Sequence, residues 1–382
     1  MGTSRRLAIG LAALLLVAAA CGGEEAETTT TAAEVATTAA PTTTEAPAAE
    51  PLKVAFVHQG PVGEHGWNFR HNMGRLEMED IMGDAVETVF LESVPATAEA
   101  ERVFEDLIRQ GYTLLVTTSF DYQDQVVAVA EKYPEAQFLG PGFYLLSENV
   151  GSYDGGFEQG MYLGGLAAAT LVGPDEIGIL ASYPIPEVLR DINGLLLGAR
   201  SVNPDATVQV VWTGTWFDPL IEGQAAESLF DTGVRAVAQV TELTTAGEVA
   251  QARGGYWIEI YDNGQRFAPE AYLTGALLEL GGYFAEVAQQ MIDGTYEAGN
   301  TYLTLGAGLL SPGPYADFLS DETVALLDAA VEGMTDGSLN VFTGPLYDQD
   351  GNQVLADGEV GDLGFLLGMD FLLEGIVGGF PS

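Results

Sequence analysis

The side chains able to do chemistry are few, and their spacing argues for recognition rather than bond-breaking. The three histidines are His58, His65 and His71. His65 and His71 are six positions apart, a spacing that does not bring them onto one helical face as a metal-binding pair. The single cysteine, Cys21, can form neither a disulfide within the chain nor a thiolate cluster. No G-x-S-x-G elbow and no phosphate-cradling G-x-x-x-x-G-K-S/T occurs. Asp348–Asn352 has the composition of a calcium loop. Aligning Gly351 to the glycine of such a loop, however, puts Leu346 where an acid is required, so this stretch reads as an exposed turn. No catalytic residue, metal site or cofactor is expected.

What remains is a set of acids and aromatics in short polar stretches. Glu64, Asp121, Glu187, Asp218, Glu242 and Asp262 each follow an apolar run. Aromatics or prolines flank Glu64, Glu187 and Asp218, which suits carboxylates that accept hydrogen bonds from ligand N–H or O–H groups. The densest stretch is Gly60–His71, with glycines, a proline, Glu64, His65 and Trp67. Trp67 there is either a stacking platform for a flat ligand or an anchor of the core. The expected ligand-contacting set is Glu64, His65, Trp67, Phe120, Phe143, Glu187, Trp216, Phe217, Asp218, Thr241 and Asp262.

These residues need elements to hold them. From Leu52 onward, short apolar runs alternate with helical patterns. Strands are expected at Leu52–His58, Val86–Leu91, Tyr112–Thr118, Gln137–Gly140 and Asn149–Tyr153, with helices between them. Thr97 is placed to cap the helix whose apolar face is Ala100, Val103, Phe104, Leu107 and Ile108. Gly160, Gly164 and Gly165 predict close packing against the helix Phe157–Leu171. A second series follows, with strands at Glu176–Ser182, Thr207–Trp212, Arg235–Val240 and Trp257–Tyr261. Later strands are expected at Tyr272–Leu277 and Tyr302–Leu310. Two such series argue for two doubly wound α/β lobes. The expected division is 51–172 with 272–298 for the first lobe, and 173–271 with 299–382 for the second. The polar loops at 59–66, 119–122, 141–144, 182–187, 213–218, 241–244 and 262–265 would converge on a cleft between them. Their aromatics suit a flat heterocycle or a sugar ring.

Composition bounds the partners. The 382 residues carry 55 acids against 13 bases, a net charge of −42. A surface this negative repels phosphate backbones, so nucleic acid is excluded as a partner. At the amino end, Arg5 and Arg6 precede the apolar run Leu7–Ala20, too short to span a bilayer, and then Cys21. That order is similar to a bacterial lipoprotein signal over 1–20, with Cys21 as the lipidated residue; an ordinary cleaved signal is the alternative. Residues 21–50, rich in Thr, Ala, Glu and Pro, have too little apolar surface to fold and read as a disordered tether.

The motifs taken together resemble the basic membrane protein family of ABC-transporter substrate-binding lipoproteins, in its purine base and nucleoside branch. The resemblance is carried by Gly63-Glu64-His65-Gly66-Trp67, Thr118-Ser119-Phe120, Ile185-Pro186-Glu187-Val188 and Gly198-Ala199-Arg200-Ser201-Val202-Asn203-Pro204. It continues through Trp216-Phe217-Asp218-Pro219, Phe342-Thr343-Gly344-Pro345, Met369-Asp370 and Glu374-Gly375. It implies a type I periplasmic-binding-protein fold with a three-crossover hinge. A small-molecule ligand would close the lobes, and an ABC permease with ATPase subunits would receive it. The protein would lie outside the cytoplasm, held to the bacterial cell membrane through its N-terminal lipid only. By the same resemblance, Trp67 and Trp216 or Phe217 would sandwich a purine ring, with Glu64, Glu187, Asp218 and Asp262 at its edge or at a ribose. The chain departs from the family at Glu64, where Asp is usual, at Ala276–Leu280 and at Gln239–Leu243. Other readings are a receptor for a sugar or another small polar solute, a nucleoside or glycoside hydrolase, and a ligand-sensing partner of a membrane kinase.

Overall fold

The computed structural model describes residues 50–63, 65–308 and 310–381. The signal, the tether, Cys21 and Glu64 lie outside the described residues.

The first series is β1 Leu52–Val57, α1 Trp67–Met82, β2 Val86–Leu91, α2 Ala98–Arg109, β3 Leu114–Thr117, α3 Gln123–Ala130, β4 Gln137–Pro141, β5 Val150–Gly155 and α4 Phe157–Ala169. The second is β6 Ile177–Ala181, α5 Pro186–Val202, β7 Val208–Trp212, α6 Pro219–Asp231, β8 Ala236–Val240, α7 Thr245–Arg253, β9 Tyr256–Glu259 and β10 Tyr272–Leu278. The chain then runs through α8 Gly281–Asp293, β11 Asn300–Leu303, β12 Leu310–Pro312 and α9 Asp321–Asp336. It ends with β13 Leu346–Tyr347, β14 Gln353–Leu355, α10 Leu363–Leu367 and β15 Ile376–Val377.

Local chemistry accounts for the boundaries. Thr97 accepts from the Glu99 amide at 3.3 Å and opens α2, and Ser320 accepts from Thr323 at 3.1 Å and opens α9. Pro186 and Pro219 occupy first-turn positions of α5 and α6, where a missing N–H costs nothing.

The strands form two sheets. The six-stranded sheet has the order β11-β5-β4-β3-β1-β2, and every pairing in it is parallel. The seven-stranded sheet has the order β12-β10-β9-β8-β6-β7-β15, antiparallel only where β12 meets β10. In each, the first strand of its series lies between the second and the third. The strand order therefore reverses at β1/β3 and at β6/β8, and loops leaving the carboxyl ends there open a crevice for ligand.

The crossover points differ from expectation in three ways. Helix α4 packs on the second sheet: an added Cβ at Gly160 would meet Ala276 at 2.7 Å, and one at Gly164 would strike Ile258. Strand β10 belongs to the second sheet, whereas α8 packs on α1 and β11 joins the first sheet beside β5. The run expected as one strand over Tyr302–Leu310 is two, β11 and β12, in different sheets, separated by a turn with Gly308 at φ 73°. Strands such as β10, buried on both faces, show the same apolar run in either sheet, so their sequence does not say which they join. The connections between sheets thus fall at 155–157, 278–281 and 303–310.

One apolar cluster runs through both lobes, from Val54 and Phe56 to Ile258 and Tyr261, with Trp67 and Phe157 within it. Asp348–Asn352 is the turn between β13 and β14. Asp348 Oδ1 accepts from the amides of Asp350 (3.0 Å) and Asn352 (2.8 Å), and Gly351 takes φ 81°.

Candidate functional site

Eight side chains line a narrow cavity of about 30 Å³: Trp67, Ser119, Phe120, Pro141, Glu187, Trp216, Glu242 and Tyr261. Each sits at or just past the carboxyl end of a strand. Four follow β1, β3 and β4 of the first sheet; the other four follow β6, β7, β8 and β9 of the second.

Trp67 opens α1. Its Nε1 donates to the Thr118 carbonyl at 2.6 Å, and its ring meets Tyr261 at 5.2 Å and Phe157 at 5.9 Å, both edge-on. It is 9% exposed, so it is an anchor of the core and a wall of the cavity at once. Behind it, His71 Nδ1 lies 2.8 Å from the Trp67 carbonyl oxygen, and its Nε2 lies 2.6 Å from the Tyr153 hydroxyl. Burial lowers both His58 and His71 to about 3, which keeps these imidazoles neutral. Across the cavity, Trp216 lies against Tyr183 at 5.4 Å, and its buried Nε1 has no partner. Phe120 lies 6.1 Å from Tyr144 at the first lobe's rim.

Two carboxylates reach the wall. Glu242 accepts from Asn68 Nδ2 at 2.8 Å, a contact that joins the loop after β8 to α1 of the other lobe. Glu187 opens α5 and accepts no hydrogen bond from any described residue; burial pushes it up to about 7. Behind it lies a group that sequence reading missed. Arg190, 1% exposed, stands 3.6 Å from Asp154 and 3.7 Å from Glu158, and both oxygens of the buried Asp191 lack partners. Burial raises Asp154, Glu158 and Asp191, the last well above the usual carboxylate range. One cation faces four carboxyls there.

Of the expected contact residues, Trp67, Phe120, Glu187 and Trp216 come together at the cavity. Six others are engaged elsewhere. His65, at φ 67°, packs between Phe69 and Phe267, each 5.0 Å away. Phe143, 1% exposed, fills the first lobe's core against Gly140. The Phe217 ring is 38% exposed and outside the cavity lining. Asp218 Oδ1 caps α6, accepting from Leu220 (2.9 Å) and Ile221 (3.0 Å). Buried Thr241 donates to Glu222 at 2.9 Å, and burial raises Glu222 to about 7. Asp262 pairs with Arg266 and lies 3.9 Å from Arg70. Pro141 opens one of the loops expected at the cleft, whereas Tyr261, just past β9, carries no signal in the sequence beyond its place after an apolar run. Among the described residues, no group of three or more His, Cys, Asp or Glu is placed to hold a metal ion.

The arrangement can grip a flat, partly polar molecule between aromatic rings and bind its edge through acceptors. Comparison with known proteins narrows this. A family model described as ABC transporter substrate-binding protein PnrA-like matches residues 52–309. A purine-binding protein of Brucella abortus is 38% identical over 337 residues, covering 88% of this chain and 96% of that protein. A putative ABC transporter glucose-binding protein of Haloferax volcanii is 30% identical over 334 residues, covering 87% and 82%. Among solved structures, an ABC transporter solute-binding protein from Conexibacter woesei matches with a TM-score of 0.60 at 24% identity, over 76% of this chain and 98% of that one.

Proposed function

Because the chain belongs to the family of PnrA-like ABC transporter substrate-binding proteins, we propose that it captures a purine base or nucleoside between its lobes for import. The carrying observation is the cavity itself, where Trp67, Phe120, Trp216 and Tyr261 surround a space edged by Glu187 and Glu242. Aromatic faces suit a purine's π-surface, and carboxylates suit its N–H groups. The purine-binding relative supports the same ligand class. Function is extracytoplasmic and consists of binding and lobe closure, followed by delivery to a permease driven by ATPase subunits. We further propose that Cys21 carries the lipid that holds the protein at the membrane, with 21–50 as the tether.

Isothermal titration calorimetry across adenine, guanine, hypoxanthine, xanthine and their nucleosides tests the ligand class. The reading fails if none of them binds while another solute does. Glucose and ribose belong in the same panel, because one relative is described as glucose-binding and aromatic walls also hold sugars. A sugar site, however, needs polar groups around the whole ring, whereas among the described residues lining this cavity both carboxylates belong to the second lobe.

A further inference from the structure

Beside the aromatic cavity lies a larger space of about 600 Å³, walled by Tyr144 and Leu146 of the first lobe and by Pro184 and Leu367 of the second; Asp154, Glu187 and Arg190 also line it. Arg190 is 1% exposed and is fixed to the second lobe, where its Nη1 donates to the Leu366 carbonyl at 3.0 Å. Asp154 is buried near the end of β5 in the first sheet, and its Oδ2 accepts from Asn300 Nδ2 of the neighbouring β11 at 3.1 Å. Next to them, Tyr302 of β11 donates to the Glu158 carboxylate of α4 at 2.9 Å, so one bond between the lobes is already made beside the crossover at 155–157. The bond from Arg190 to Asp154 is not. Arg190 Nη2 lies 3.6 Å from Asp154 Oδ1 and Nε lies 3.7 Å from Glu158 Oε2, and neither nitrogen has a hydrogen-bond partner among the described residues. A charge-assisted N–H···O bond is about 2.7–2.9 Å long, so a small approach of the lobes completes the pair, and the open space beside it leaves them room to approach. A buried charged donor gains from that bond. Arg190 also stands one turn after Glu187 on α5, and its charge partly offsets the rise that burial gives the Glu187 carboxyl. The pair is thus in touch with the wall of the binding cavity.

We propose that Arg190 and Asp154 are the two halves of a latch. When the lobes close on a solute, Arg190 of the second lobe pairs with Asp154 of the first and holds the closed form shut. Arg190 is thus a positioning residue, which acts on closure and sets how long the closed complex lives. The latch rests on the binding and closure proposed above and is independent of the purine assignment.

The test is stopped-flow kinetics and small-angle X-ray scattering on the full chain, with hypoxanthine as the probe, or glucose if no purine binds. Asp154→Asn keeps the shape and the contact with Asn300 while removing the charge opposite Arg190. It should speed dissociation by about 10- to 100-fold and leave the association rate within about threefold. The fall in radius of gyration that the probe produces in the wild type should shrink with it. A side chain that only held the fold together would lower the melting temperature without dividing the two rates in this way. Once Arg190 is gone, Asp154 has nothing to latch. Asp154→Asn added to Arg190→Met should therefore change the dissociation rate by less than about twofold. Near-ultraviolet circular dichroism checks that each variant keeps the native fold, and Arg190→Gln replaces the methionine variant if that one does not. An Asp154→Asn protein that releases the probe within about twofold of the wild-type rate, or whose lost affinity lies in association, overturns the latch and leaves the purine reading standing. Binding of glucose and of no purine overturns the purine reading, and the same rates measured with glucose then decide the latch.

Discussion

Replacing Trp67 by alanine separates its two roles in one experiment. The side chain is 9% exposed, touches Phe157 and Tyr261 from the second lobe, and donates to the Thr118 carbonyl at 2.6 Å. Removing it opens a cavity where the two lobes share a core and orphans a buried acceptor. Large-to-small aromatic substitutions in such places cost roughly 3–5 kcal/mol. With an unfolding entropy proportional to chain length, that lowers the melting temperature by roughly 4–7 °C if the lobes unfold together. The lost ring also removes about 1–3 kcal/mol of stacking from any bound base, or roughly 5- to 150-fold in affinity. Trp216→Ala is the control, because that ring is only half-buried and its N–H has no protein partner. It should weaken purine binding about as much while moving the melting temperature by less than about 2 °C. Differential scanning fluorimetry and calorimetry on both variants supply the readings. A Trp67→Ala protein that melts with the wild type refutes the bridging role, and one that keeps near-normal affinity refutes the platform role.

Three further outcomes follow from other side chains. Glu259, 4% exposed, is raised from 4.5 to about 8, chiefly by burial. The folded state therefore holds its proton more tightly than the unfolded chain, and its contribution to stability, complete below about pH 4.5, is lost as pH rises through about 8. Glu259→Gln should escape this loss, gaining up to roughly 4 kcal/mol over the wild type between about pH 5 and 9 in thermal melts. Arg70→Met removes the guanidinium that donates from Nε to the Leu278 carbonyl at 2.9 Å and pairs with Glu279 at 3.1 Å. It should cost about 2–4 kcal/mol in chemical denaturation by untying α1 from the end of β10. Asp218→Ala should lower stability by about 1 kcal/mol, as the loss of a helix cap does, and leave calorimetric affinity within about twofold.

Sequence and structure agree where one local rule decides. The cap Thr97, the glycine-packed face of α4 and the turn at Asp348 each depend on a few adjacent residues. Five of the seven expected loops contribute lining residues among those described, since strand order alone brings their ends to one crevice; 59–66 and 262–265 do not. Two kinds of information were not legible. Membership of a sheet is settled by partners far along the chain, so the local pattern places β10 in the first lobe and β11 in the second, the reverse of the sheets they join. Which polar loop residue faces the cavity depends on competing local bonds. Asp218 had the right flanks for a ligand carboxylate, but it is taken up by two backbone amides. Asp262 is taken up by Arg266. The Asp154–Glu158–Arg190–Asp191 group draws on β5, α4 and α5 and has no local motif at all.

Both sheets follow one plan, and matched positions carry different chemistry. The residue past the first strand is Trp67 in one lobe and Glu187 in the other; past the third strand, Ser119 and Phe120 stand opposite Glu242. Among the described lining residues both carboxylates thus belong to the second lobe, and the first contributes Ser119 and otherwise apolar cover. This division sets an order of events. On the proposed reading, a solute arriving at the parted lobes meets the described carboxylates on the second lobe, so it lands there and is then covered by the first. Substitutions in the second lobe should register mainly in the arrival step, and those in the first in the lifetime of the complex.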